Sequence, residues 1–235
     1  MSSLYRSILN AQGSSFASIN SFEFDGSTDY VNLGNPTSLQ ISSAFSISVW
    51  IKFSSIIQGY AFSGCGNKYG IYVQNNLINL QHRDSGNVFR NVTSTSTFND
   101  NQWHHVLGVN DGTNLKLYID GNLNNSNALG GSNITSTLEA RIGNISTASS
   151  WEFTGFIDEV AVWNNDQSAN FSTIYGTGVP NDLSSLSPLS WWRMGEAANY
   201  AGGAWTLTDQ GSGGNDGTSL TLPAPPAQPS TDVPT

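Results

Sequence analysis

An all-β fold, two antiparallel sheets packed as a sandwich, is what this 235-residue sequence predicts, and three observations carry it. Residues Trp103–Gly121 read WHHVLGVNDGTNLKLYIDG, two apolar-rich arms joined by Asn110-Asp111-Gly112-Thr113-Asn114, whose Asp-Gly step tolerates the positive φ of a tight hairpin loop. Over Phe45–Phe53 apolar and polar residues alternate with a period of two, as in a strand with one face buried. Strand-like runs recur about every 8 to 15 residues between turn signals, while Ser and Asn density argues against long helices.

In chain order, Phe22-Glu23-Phe24, the turn Asp25–Asp29 and Tyr30–Leu33 read as strand, tight turn, strand. Phe45–Phe53 is expected as a half-buried central strand. Tyr60–Phe62, Tyr69–Val73, Leu77–His82 and Val88–Val92 resemble a meander. In the hairpin's second arm Leu115, Leu117 and Ile119 share one face, Lys116, Tyr118 and Asp120 the other, and Asp120-Gly121 breaks the strand. Leu138–Ile142 and Phe153–Trp163 follow. Strict alternation along the latter puts Asp158 with Phe156, Val160 and Val162, and Glu159 on the opposite face with Ile157, Ala161 and Trp163. One helical turn is expected at Ser168–Ile174. Pro223–Pro229 cannot join a central strand and is expected to run over the surface or reach a neighbour. The chain divides into a polar N-terminal arm (residues 1–20), a sandwich (21–222) and a Pro-rich tail (223–235).

Charged residues make up 11% of the chain, with a net charge of -9, so the basic footprint that binds phosphates is missing. Nucleic acid and anionic membranes are therefore not expected as partners, and no apolar run approaches the roughly 18 residues of a span. The first residues lack a signal-peptide pattern, and a lone Cys65 leaves no disulfide framework.

FDGSTDYVNLGN, FSISVWIKF, QWHHVLGVNDGTNLKLYIDG, RIGN and FTGFIDEVAVWN occur in the order seen in laminin-G-like, concanavalin A-like jelly-roll domains, which this chain resembles over about residues 20–222. SWWRMGE (Ser190–Glu196) and TDQGSGGNDGT (Thr208–Thr218) look like the segment that opens such domains, yet here they close the chain. Circular permutation explains this where first and last strands are neighbours; the rival reading, a truncated second copy, would leave Trp191, Trp192 and Trp205 without a core. IYGTGVPNDL leading into WWRMGE also resembles laminin-G-like modules in structural proteins of tailed phages, especially marine ones.

The resemblance raises three kinds of chemistry. Glucanases of this fold use paired acids on one strand face, but Glu152, Asp158 and Glu159 do not reproduce their alternating E-x-D-x-x-E pattern, and the adjacent His104 and His105 face apart, so no enzyme is expected. The resemblance suggests a structural calcium ion, with Asp25, Asp158, Asp209 and Asn215 as ligands; the alternative is that these Asp and Asn residues cap turns through their own backbone. Glycan binding would use aromatic faces beside amides; Tyr60, Tyr69, Tyr72, His82, Arg83 and Trp151 are expected on edges or turns, without an assignable sugar site.

The reading that follows is a non-enzymatic virion structural protein, a capsid decoration or fibre-associated protein present in multiple copies or as a homo-oligomer. It is made in the host cytoplasm and displays a lectin-like sandwich to cell-surface glycans. Apolar Leu4, Tyr5, Ile8, Leu9, Phe16 and Ile19 in the arm suggest an anchor to other virion proteins, the alternatives being a disordered terminus or an edge strand. A free or modular carbohydrate-binding adhesin is the alternative function.

Overall fold

The computed structural model describes residues 16–147 and 150–235, so most of the expected anchor lies outside the described residues. Two antiparallel sheets face each other. The first has the order β1 (Phe22–Asp25), β12 (Thr154–Trp163), β3 (Phe45–Lys52), β8 (Trp103–Asn110), β9 (Leu115–Ile119), β10 (Asn122–Asn127), with β13 (Ser190–Trp192) also paired to β12. The second runs β14 (Ala198–Ala201), β15 (Ala204–Leu207), β16 (Gly217–Ser219), β2 (Val31–Asn32), β11 (Arg141–Ile142), β4 (Gln58–Gly64), β5 (Tyr69–Gln74), β6 (Leu77–Arg83), β7 (Phe89–Thr97). Their inner faces meet in one core that includes Phe22, Phe45, Ile71, Leu80 and Trp192.

β3 is central, paired to β12 on one side and β8 on the other. It is not half-buried as expected: its polar side, Ser46, Ser48 and Trp50, is covered as well. The cover is the segment 164–189. Its expected helical turn is a 3-10 turn at Ser168–Asn170 leading into α1 (Phe171–Tyr175). Tyr175 stacks on Trp50 (5.9 Å between centroids), and Ser46 Oγ donates to the Asn165 carbonyl. Beneath it Leu107, Val109, Trp163, Ile174, Leu183 and Trp191 make a second apolar cluster on the outer side of the first sheet.

The Asp25–Asp29 turn forms, but the strands flanking it part into different sheets, β1 in the first and β2 in the second. One carboxylate explains the sharp turn: Asp25 accepts from the backbone N–H groups of Ser27, Thr28 and Asp29 and winds the chain around itself. β10 is a strand the sequence reading lacks. Its residues, NLNNSN, carry little apolar signal, yet it extends the sheet as the partner of β9.

The chain's last third completes both sheets. β13 lies beside β12 in line with β1, and β16 pairs with β2, so strands from the two ends of the chain are neighbours. Trp191, Trp192 and Trp205 are buried at 4%, 0% and 3% exposure in this one sandwich, which is incompatible with a truncated copy lacking a core. The Pro-rich tail folds back rather than reaching away. Ser21 and Ser230 exchange two backbone hydrogen bonds of 2.9 Å, and Asp232 accepts from Lys52 Nζ (2.6 Å) and Trp103 Nε1 (2.8 Å). The open edge of β1 is thereby blocked against pairing with other chains.

Candidate functional site

On the outer side of the second sheet three aromatic rings converge away from the main core. Alternation along β5 sends Tyr69, Ile71 and Val73 inward, which leaves Gly70 and Tyr72 facing out. A bulge between Tyr60 and Phe62 in β4 keeps Phe62 in the core and sets Tyr60 opposite Tyr72. Trp151 arrives from the loop after β11, tied down where its carbonyl accepts from the Tyr60 N–H at 3.0 Å. The ring centroids are 5.2 Å (Tyr60–Tyr72), 5.5 Å (Tyr60–Trp151) and 5.7 Å (Tyr72–Trp151) apart. With Ile145 they form an apolar cluster of their own.

These rings wall a depression of about 320 Å³ that Gln81, Asn91, Asn67 and Phe89 also line. Burial pushes both phenols up, Tyr72 to about 12, so both stay neutral hydrogen-bonding groups. Asn91 Nδ2 donates to the Tyr72 hydroxyl at 3.1 Å, whereas Asn91 Oδ1 is buried with no partner among the described residues. A buried acceptor left unpaired costs about 1–3 kcal/mol, which a ligand hydroxyl would recover. An apolar wall beside an unsatisfied amide oxygen suits a ligand that carries both a C–H face and hydroxyls. Of the six residues expected at an exposed sugar edge, Tyr60, Tyr72 and Trp151 meet here and Arg83 stands nearby. Tyr69 and His82 do not: they point inward, Tyr69 donating to the Leu39 carbonyl and His82 bonding Asn133 and the Leu129 carbonyl.

The residues expected to hold calcium do not assemble into one carboxylate group. Asp25 accepts five hydrogen bonds from its own turn, which hold its carboxyl well below the usual range although burial acts against them. Asp209 accepts from the backbone N–H of Trp191, Gly211 and Asn215, and Asn215 bonds the hydroxyls of Ser38 and Ser190. Oxygens so engaged do not fit a calcium ion, which needs six to eight of them free. We expect calcium or a chelator to shift the melting temperature by less than about 1 °C, because a site with no free ligands adds no binding energy to the fold.

Asp158 instead joins Glu159 and Glu196, with ligand oxygens of the three within 4.8 Å of one another. This corrects the strict alternation expected along β12. Its ladder with β3 slips between Asp158 and Ala161, and Glu159 takes φ 48°, a bulge that puts both acids on the outer face while Ile157 and Val160 stay in the core. Glu159 accepts from Trp191 Nε1 (2.6 Å) and Arg193 Nε (3.1 Å), and Asp158 accepts from Ser18 Oγ (2.6 Å) and the Glu159 N–H (2.8 Å). Glu196 Oε1 accepts from the backbone N–H of Ile19 and Asn20, leaving Oε2 alone unpartnered. A cation here would find one free oxygen. Residues 16–20 lie across the group, with Phe16 stacked on Trp191 at 5.9 Å, so a substrate has no approach to the two acids.

The model of the Concanavalin A-like lectin/glucanases superfamily matches residues 25–170. No curated protein matches the sequence. Among solved structures the chain is similar to a candidate carbohydrate binding protein of Bacteroides ovatus (TM-score 0.70, 17% identity), over 87% of this chain and 59% of that one. It therefore spans a little over half the length of that relative. It is also similar to the CBM40 of the Ruminococcus gnavus IT-sialidase, bound there to α2,3 sialyllactose (TM-score 0.52, 15% identity, 66% of this chain and 96% of that one). A SAP-like pentraxin of Limulus polyphemus aligns with TM-score 0.51 at 17% identity, over 67% and 82% of the two chains.

Proposed function

This chain belongs to the concanavalin A-like lectin/glucanase superfamily, and on that premise we propose that it is a non-enzymatic glycan-binding module whose sugar site is the Tyr60–Tyr72–Trp151 depression. The observation that carries the reading is an aromatic cluster separate from the core, facing outward beside an unpaired buried amide oxygen. A pyranose presents an apolar C–H face and equatorial hydroxyls, and this wall and floor match the two. The carbohydrate-binding descriptions of structural neighbours support it. The test is a glycan array followed by calorimetry. Trp151→Ala should weaken any bound glycan roughly tenfold to a hundredfold with the melting temperature kept, since Trp151 is half-buried in a loop. An array without hits, or unchanged affinity in the variant, would overturn the assignment.

We further propose that the module is carried on a virion surface, in multiple copies, through its N-terminal residues. What supports it is polarity: Phe16 packs with Trp191 on the outer side of the first sheet, whereas the sugar site opens on the outer side of the second. An anchor on the arm would leave the depression facing outward. Stoichiometric co-purification with particles, lost when residues 1–15 are deleted, is the expected result; a chain absent from particles would support a free adhesin instead.

A further inference from the structure

Eight Lys and Arg occur in the chain, and Arg6 lies outside the described residues, which leaves seven. Five are ion-paired: Lys52 with Asp232, Arg90 with Asp84, Lys116 with Asp111, Arg141 with Glu139 and Arg193 with Glu159. Lys68 and Arg83 have no acidic partner among the described residues. These two stand together. The Arg83 N–H donates to the Lys68 carbonyl at 2.7 Å, one step beyond the Tyr69–His82 pair in the β5–β6 ladder. Like charges placed opposite each other on a sheet destabilise it, and a chain of net charge -9 has acids to spare for pairing them.

They stand beside the proposed sugar site, next to residues that line it. Arg83 lies two residues from Gln81 on the outward side of β6, and Lys68 follows Asn67; Gln81 and Asn67 both line the depression. The Arg83 guanidinium lies on the Phe89 ring, 3.9 Å from its centroid, and Nη1 donates to Asn87 Oδ1, while Nε has no partner. The adjacent Asp84 is committed elsewhere, to Arg90 and the N–H groups of Gly86 and Val88. Lys68 itself lines a second, polar depression of about 640 Å³, with Asn35, Thr37, Gln40 and Ser136.

We propose that the site takes an acidic oligosaccharide, with one ring on Tyr60, Tyr72 and Trp151, its carboxylate or sulfate on Arg83 and Lys68, and the neighbouring sugar directed past Lys68 towards the polar depression. This rests on the glycan assignment above and gives it a substrate class. A guanidinium held by stacking on Phe89 offers its remaining nitrogen as a charged donor in a fixed direction, and the ammonium beside it adds an adaptable second donor. Neutral sugars would leave both charges uncompensated.

The experiment is calorimetry on the full chain with matched probes: sialyllactose and sulfated lactose against lactose, and trigalacturonate against its methyl ester. The acidic member of a pair is expected to bind at least about tenfold more tightly than its neutral twin, with affinity falling as salt rises. Arg83→Gln and Lys68→Gln should each remove most of that preference at an unchanged melting temperature, whereas Trp151→Ala should weaken both twins. Preference for sialyllactose and trigalacturonate would identify a carboxylate, preference for sulfated lactose a sulfate. Equal affinity for the twins, or a preference untouched in Arg83→Gln, would overturn the acidic-glycan inference while the glycan assignment stood. Binding of no probe, on a chain whose array is also blank, would overturn both.

Discussion

Trp192→Ala is expected to destabilise the sandwich by about 3–5 kcal/mol, lowering the melting temperature on the order of 10 °C. The ring is fully buried, stacks on Phe62 of the opposite sheet at 6.2 Å and donates from Nε1 to the Asn215 carbonyl at 2.8 Å. Its loss would leave a cavity between the sheets and an unpaired carbonyl in the 209–217 loop. The effect is large because β13 belongs to the fold: Trp192 sits opposite Val160 of β12 and closes the space beyond the end of β1. Urea denaturation followed by far-UV circular dichroism measures it. A loss under about 1 kcal/mol would mean that residues 188–222 are an appendage rather than part of the core.

A second large effect comes from pH. Burial first, and then the adjacent Glu159 charge, push the Asp158 carboxyl well above its ordinary range; burial raises Glu159 to about 7 although Arg193 and Trp191 act the other way. A carboxyl whose folded pKa exceeds its unfolded value, about 4 here, stabilises the fold fully below that unfolded value and loses the contribution as pH rises through the folded one. Stability should therefore fall as pH rises above about 6.5, with Glu159 completing its share near 7 and the higher-lying Asp158 continuing the fall. In that window the buried His105, lowered to about 3 by burial, contributes a constant amount, since its stabilisation is already complete above about 6.5. His104 adds to the fall: burial works against its charge, but hydrogen bonds to Asp120 and Asp100 raise it, so its contribution also fades with rising pH. Asp158→Asn keeps the geometry, with Oδ1 accepting from the Glu159 N–H and Nδ2 donating to Ser18 Oγ. The variant should be more stable than the parent at pH 8 by roughly 1–3 kcal/mol, with a flatter profile. A parent whose melting temperature holds or rises as pH goes from 6.5 to 8 would disprove the buried-acid account.

Much of the architecture could be read from period-two patterning because one face of most strands is apolar and the turns between them carry Gly, Asn and Asp. The hairpin at 103–121 and the central strand at 45–52 were visible for that reason. What patterning missed were places where a neighbour overrides the local sequence. Ser46 and Ser48 look solvent-facing until residues 164–189 cover them. NLNNSN becomes a strand because β9 offers it a free edge. Asp158 and Glu159 share a face because one bulge breaks the alternation, and the only residue-level hint is a pair of adjacent acids in an otherwise apolar run. Of the proposed sugar site, Tyr60, Tyr72 and Trp151 were legible as aromatic residues near Gly- and Asn-rich turns. The rest, Gln81, Asn91 and Asn67 with Lys68, needed the register of β5, β6 and β7, which fixes which residues stand side by side and sets Arg83, already among the candidates, next to them.

The paired backbone bonds between Ser21 and Ser230 bear on how the molecule responds to mechanical load. These residues belong to an antiparallel pair, so the segment before Ser21 and the segment after Ser230 leave the pair in the same direction. Tension between the ends would peel contacts open one after another, Phe16 from Trp191 and Ser18 from Asp158 on one side, Asp232 from Lys52 and Trp103 on the other, and then the serine pair, instead of shearing several strands at once. That sequence is a soft extensible element lying in series with a stiff core. The aromatic box, on the other sheet, lies off the path of a load applied between the two ends, so its geometry would outlast the first of these ruptures.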